Sequence, residues 1–219
     1  MRFSIKYTFQ AFQKDQFWLP LAMWGLFVLM LVLFFEGNNQ VNAARAFLGF
    51  VMPLLAGGLA AYAVLEDSAL ELQFATALPA WRMLAERLGL VLVVILAVGL
   101  SFQGVLVVLR VDPHLGNFWQ AVLAWLVPCL TMISLGTFVS LLAGNSHAGA
   151  AFVGVLWITQ TIGRGWFAYN ETARLFLLFF GAMAAGHKDL PLNQFVLTGI
   201  TVAGLFFSWL LLKKQERYI

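Results

Sequence analysis

Apolar stretches of about twenty residues recur along this chain, separated by short polar connections. The first covers residues 17–35 and holds no charged side chain. The hydrocarbon core of a bilayer is about 30 Å thick, and a helix rises about 1.5 Å per residue, so about 20 apolar residues cross it. An isolated strand cannot take this place, because its backbone N–H and C=O groups would stand unpaired in lipid. Each stretch therefore predicts a helix. Five more follow at residues 46–65, 88–109, 119–142, 148–165 and 195–212. The expected fold is an all-α integral membrane protein, with six transmembrane helices in a single domain over residues 1–219.

Composition agrees with this reading. Charged residues make up 11% of the chain and hydrophobic residues 62%. A soluble domain carries about 25% charged residues, so no soluble domain is expected. The single cysteine, Cys129, cannot form an internal disulfide or supply a metal cluster. A net charge of +3 gives no footprint for nucleic acid. No small-residue cleavage pattern follows the first stretch, where Phe35-Glu36-Gly37-Asn38 stands, so it reads as a retained span.

Before that span, Phe3, Tyr7, Phe9 and Phe12 sit among Arg2, Lys6 and Lys14. This pattern predicts an interfacial helix, with basic side chains near lipid head groups. A frayed basic tail is the alternative. Between the fifth and sixth stretches, residues 174–186 are apolar over only about a dozen positions, which suits a re-entrant or external helix better than a span. Counting that piece as a seventh span would put the termini on opposite sides. With six spans and an inner N-terminus, the inner segments hold eight lysines and arginines and the outer segments five. That bias predicts cytoplasmic termini.

One inner connection is longer than a connector requires. Glu66, Asp67 and Glu71 open a segment without glycine or internal proline that runs to Leu78. Acidic residues suit the first turns of a helix, where the dipole favours them. Pro79 ends it, and a second helix carrying Arg82 and Arg87 leads into the third span. A helix–proline–helix of this kind on the inner face is either a docking surface or a helix resting on lipid.

On these residues the chain resembles the membrane subunit, or permease, of ABC transporters of the type-2 exporter class. That family has six spans, an interfacial helix before the first and an acidic cytoplasmic helix after the second. The helix reads E-x(3–10)-E-L-x-x-x-x-P with a basic residue following. Glu66, Glu71-Leu72, Leu78-Pro79 and Arg82 or Arg87 stand in the corresponding places, although six residues rather than four separate Leu72 from Pro79 and the usual glycine between the acidic residues is absent. Family members also carry a short re-entrant or external helix before the last span, where residues 172–186 stand. Leu192-Asn193-Gln194 occupies the place of a usual L-N-R, and Lys213-Lys214-Gln215-Glu216-Arg217 that of the closing basic run. The resemblance implies a permease in a bacterial plasma membrane. Glu66, Asp67, Glu71, Leu72, Leu78, Pro79, Arg82 and Arg87 would couple it to a separate ATPase. Two ATPase copies would bind ATP and Mg, and a second permease copy, identical or homologous, would complete the assembly. The haem-exporter type of permease has a similar length and layout.

The chain itself is not expected to be an enzyme. A phosphate loop needs G-x-x-x-x-G-K-[ST]. The nearest string runs from Gly181 to Asp189, with His187 in place of the lysine and no following serine or threonine. His114, His147 and His187 fall in separate loops, and no H-E-x-x-H occurs. Within the fourth and fifth spans, Thr131, Ser134, Thr159 and Gln160 are among the few polar residues. They either bond to the helices around them or give a sparse lining to a path for an amphiphilic or apolar substrate. A non-transporting membrane accessory or immunity protein is the competing functional class.

Overall fold

The computed structural model describes residues 15–33, 37–65 and 80–213. The expected interfacial helix, the chain's last residues and most of the coupling segment, Glu66 to Pro79, lie outside them. Every regular element among the described residues is helical. The longer ones are α1 (Asp15–Leu33), α2 (Gly37–Ala46), α3 (Met52–Ala63), α4 (Ala80–Val108), α5 (Phe118–Ala143) and α6 (Ser146–Ile162). Three short ones follow, α7 (Arg164–Tyr169), α8 (Glu171–Arg174) and α9 (Phe180–Met183), before the last helix, α10 (Leu190–Leu212).

Among the described residues, four helical runs are long and apolar enough to cross a membrane: Gly37–Ala63, Leu84–Val108, Phe118–Ala143 and Leu190–Leu212. Their positions match the expected second, third, fourth and sixth spans, but three begin earlier than hydropathy indicates. The run expected at residue 46 starts at Gly37, the one expected at 88 belongs to a helix starting at Ala80, and the one expected at 195 starts at Leu190. Helical hydrogen bonding continues past the apolar stretch wherever polar side chains tolerate it, so a hydropathy boundary marks the lipid edge rather than the helix end. Pro20, expected in a first turn, lies inside α1 because that helix already includes Asp15.

The run Gly37–Ala63 is one helix only through a π-turn at Phe47–Val51, between α2 and α3. A π-turn widens the helix by one residue and leaves a carbonyl misaligned for its usual partner. Here the Phe50 carbonyl accepts from Trp157 Nε1 of α6 at 2.8 Å.

The helix ends follow local chemistry. Asn117 and Gln120 form a reciprocal capping box at the start of α5. Gly144 ends that helix at φ 65°, a left-handed conformation that suits glycine. Asn145 then caps α6 by accepting from the His147 N–H.

The core lies where α3, α5, α6 and α10 meet. α3, α5 and α6 approach through Gly57, Gly136 and Gly149. A Cβ on Gly136 would stand 2.6 Å from the Gly57 carbonyl oxygen, and one on Gly149 would meet Ser140 and stand 2.7 Å from the Gly136 carbonyl. Small residues serve this purpose in membrane bundles, where packing rather than water drives helices together. Thr137 and Ser140 donate to the Ala60 and Ala61 carbonyls across the same contact. Trp125 is fully buried and its ring fills the hollow at Gly99 of α4. Cys129 is buried as well, in span packing.

Candidate functional site

Polar groups concentrate where the chain passes from α6 to α10. Gly163 breaks the helix after α6, and the chain then makes α7, α8, a run of turns and α9 before α10 begins. The stretch expected to be re-entrant or external is therefore not a continuous helix. It is a folded-back segment with a buried middle, since Leu177, Leu178, Phe179 and Phe180 are each at most 2% exposed.

A segment this irregular exposes backbone groups that helices satisfy internally, and buried ones need partners. Gln160, at the end of α6, supplies two. Its Nε2 donates to the Phe176 carbonyl at 3.1 Å, and its Oε1 accepts from the Leu178 N–H at 2.8 Å. Asn193, in the first turn of α10, is 1% exposed and points Nδ2 at the carbonyls of Arg174, Leu175 and Leu177, all within 3.1 Å. An amide has two N–H groups, so the three carbonyls share them.

The segment's ends are tied by charge. Arg174 Nη2 lies 2.8 Å from Asp189 Oδ2, on a pair mostly shielded from solvent. His187 stands beside both. Its Nε2 is 3.2 Å from Arg174 Nη1, and its Nδ1 is 3.7 Å from Asp189 Oδ2 and 3.2 Å from the Asp189 backbone nitrogen. The guanidinium and the Asp189 N–H are both donors, and a neutral imidazole has one acceptor nitrogen, so the ring can accept from only one of them at a time. Arg174 also lies 6.0 Å from the centre of the Phe180 ring.

The segment is keyed into the π-turn. Phe179 stacks on Phe50 with ring centres 4.4 Å apart and meets Trp157 edge-on. Gly49 sits so close to Ala182 that any Cβ on it would collide with the Ala182 side chain. On the other side, Gly181 packs against the backbone of Ala124, one turn before Pro128 of α5. Proline cannot donate to the carbonyl four residues back, and the small Gly181 fits at that weakened turn.

The residues singled out from sequence fare differently. Gln160 is a staple of this segment. Thr131 is buried away from it, donating to the Val127 carbonyl at 2.9 Å and standing 3.2 Å from Thr201 Oγ1. Ser134 is fully buried and donates to the Thr131 carbonyl. Thr159 is exposed on the outside of α6. The four do not converge on one surface. Arg82 is exposed and paired with Glu86 at 3.0 Å, while Arg87 is buried, 4% exposed.

Trp157, Asn193, Arg174, His187 and Asp189 were not read from sequence as a unit. Their signal was an Arg, a His–Lys–Asp run and an Asn bracketing a short apolar stretch. The histidines stay apart: His114 pairs with Asp112, and His147 Nδ1 lies 3.3 Å from the Tyr62 hydroxyl. Among the described residues no group of three or more His, Cys, Asp or Glu is placed to hold a metal. No family model, no curated protein and no solved structure matches this chain.

Proposed function

We propose that this chain is the membrane-spanning permease subunit of an ATP-driven exporter of the type-2 ABC class. The observation that carries the reading is the folded-back segment between α6 and α10, packed into the bundle just before the last helix. A plain helical connector would not need the Gln160, Asn193 and Arg174–Asp189 ties that hold this one. The resemblance in the sequence implies a short non-spanning piece at this point of the chain. Six spans follow if α1 and α6 also cross; their apolar lengths, Phe17–Leu33 and Ser146–Ile162, reach the lower limit for crossing. Contacts between helix ends agree with such an alternation. Arg45 Nε donates to the Pro113 carbonyl and Gln40 to the Leu31 carbonyl, which gathers the ends expected outside. Tyr62 and His147 meet at the ends expected inside.

On this reading the segment 66–79 docks on a separate ATPase. Nucleotide-driven movement passes through Pro79 into α4, whose first turns carry Arg82 and Arg87. Two permease copies and two ATPase copies form the working unit in the plasma membrane, with both termini cytoplasmic. The test is co-purification of an ATPase with the tagged chain from its native membrane, beside a Glu71→Ala/Leu72→Ala variant. ATPase recovery with the native chain and its loss in the variant, at equal membrane insertion, is the expected result. A chain that purifies alone and active, or a variant that retains its ATPase and transport, would overturn the reading in favour of an accessory protein.

A further inference from the structure

α4 and α10 stand apart where both rest on α5, and the gap is a groove of about 310 Å³. Leu84, Leu88 and Leu92 form one wall, Leu205 and Trp209 the other, and Ile133 of α5 the floor. The wall residues lie at i, i+4 and i+8, so each wall is one helix face running about 12 Å along the bundle. The groove's threonine, Thr201, is already engaged, donating to the Leu197 carbonyl at 2.9 Å with Thr131 beside it. Its surface thus offers nothing to a polar solute and suits a hydrocarbon chain.

One end of the groove is charged. The stripe Thr201, Leu205, Trp209 continues by one more turn to Lys213, whose ammonium stands 3.9 Å from the centre of the Trp209 ring. On the opposite wall Arg82 lies at i−3 and i−7 from Ala85 and Gly89, which also line the groove. Glu86 pairs with Arg82, so among the described residues Lys213 sets the sign of the mouth. An apolar trough opening at a tryptophan and a lysine at the end of a long apolar helix has the chemistry of a phospholipid seat. Tryptophan and lysine settle at the head-group level.

We propose that this groove is a specific site for an anionic membrane phospholipid, with one acyl chain between α4 and α10 and the phosphate at Lys213. The site rests on α4, α5 and α10 spanning the membrane and not on the transport reading. Acyl chains are as apolar in bulk lipid as in the groove, so packing and the mouth's charge give the selectivity.

The test is native mass spectrometry of the full chain in detergent, titrated with phosphatidylglycerol or phosphatidylcholine. The native chain is expected to keep one phosphatidylglycerol in preference to phosphatidylcholine. Lys213→Ala should lower that preference about fivefold, the effect of one basic residue at an anionic surface. Gly89→Phe should abolish the adduct by filling the trough, since nothing lies within 4 Å of a Cβ placed there. Ala85→Trp fills the same trough from an exposed position and serves as a second filling variant. Gly154→Phe, an equally open position on α6, should leave the adduct intact. Equal adducts in the native chain and both filling variants would overturn the site. So would a lipid-free native dimer that Gly89→Phe splits, which would assign the groove to a second copy. No ATPase enters the measurement, so this site and the transport reading fail separately.

Discussion

Replacing Gln160 by leucine tests whether the folded-back segment is held by its polar ties. The change keeps an apolar stem of similar size and removes both hydrogen bonds, leaving the Leu178 N–H and the Phe176 carbonyl to find other partners. A typical hydrogen bond contributes about 0.5–1.5 kcal/mol net, and a buried group left unpaired costs about 1–3 kcal/mol. Interhelical bonds measured within a membrane bundle average about 0.6 kcal/mol. Two bonds at the membrane figure give a floor of about 1 kcal/mol. Full orphaning of the buried Leu178 N–H raises the loss to about 3 kcal/mol. At about 2–4 °C per kcal/mol for a chain of this size, Gln160→Leu should lower the Tm by roughly 2–12 °C. Near-ultraviolet circular dichroism in detergent follows the tertiary packing of the chain's eight tryptophans. A second readout locates the damage. A cysteine placed at the fully buried Leu177 should react with a maleimide faster in the Gln160→Leu background, over a low background because Cys129 is itself buried. An unchanged Tm together with unchanged Leu177→Cys labelling would refute the claim that Gln160 holds this segment.

Three further outcomes follow from the same geometry. Gly49→Val should destabilise the chain by about 1–3 kcal/mol through its collision with Ala182, and Ala182→Gly should restore part of that loss in a thermal melt. Gln103 is buried and its Oε1 has no partner among the described residues, so Gln103→Met should raise the Tm, corresponding to about 1–3 kcal/mol. Asp112 accepts from the His114 backbone N–H at 2.7 Å, and this bond, followed by that to the His114 ring, holds its carboxyl below the usual carboxylate range. A depressed folded-state pKa gives stability that is present above the unfolded value, about 3.9, and lost as pH falls through the lower folded value. Acid melts should therefore show the native chain losing stability in that window, and Asp112→Asn should flatten this part of the profile.

Particular residues show how far the sequence could be read. The apolar run 119–142 marked α5 to within a residue at each end, because Asn117 and Gly144 stop the helix with their own side chain or backbone freedom. Residue 46 was a poor boundary, because the polar run Gly37–Ala46 continues the same helix by backbone bonding alone. The π-turn carries no sequence mark. It depends on Trp157, which is more than a hundred residues away in the chain and accommodates the Phe50 carbonyl. Of the four residues proposed to line a path, Gln160 alone is shown bonding to the folded-back segment, from its place on α6. Which helix face a lone polar side chain occupies depends on the neighbour, not on its type.

The sequence by itself determined that the chain is helical and built for lipid. Backbone groups in hydrocarbon must pair within their own segment, and that requirement acts on each apolar run separately. It likewise favoured a re-entrant or external piece over a full span for residues 174–186, since about a dozen apolar residues fall short of the hydrocarbon thickness. Tertiary structure decided what those residues do instead. Gln160, Asn193 and the Arg174–His187–Asp189 cluster come from three parts of the chain, and only the packing of α6 against the segment and α10 brings them within bonding distance. Hydropathy sums what each residue gains from lipid, whereas these contacts depend on which faces meet. In a bundle without a water-driven core, close packing and a few polar ties settle that choice.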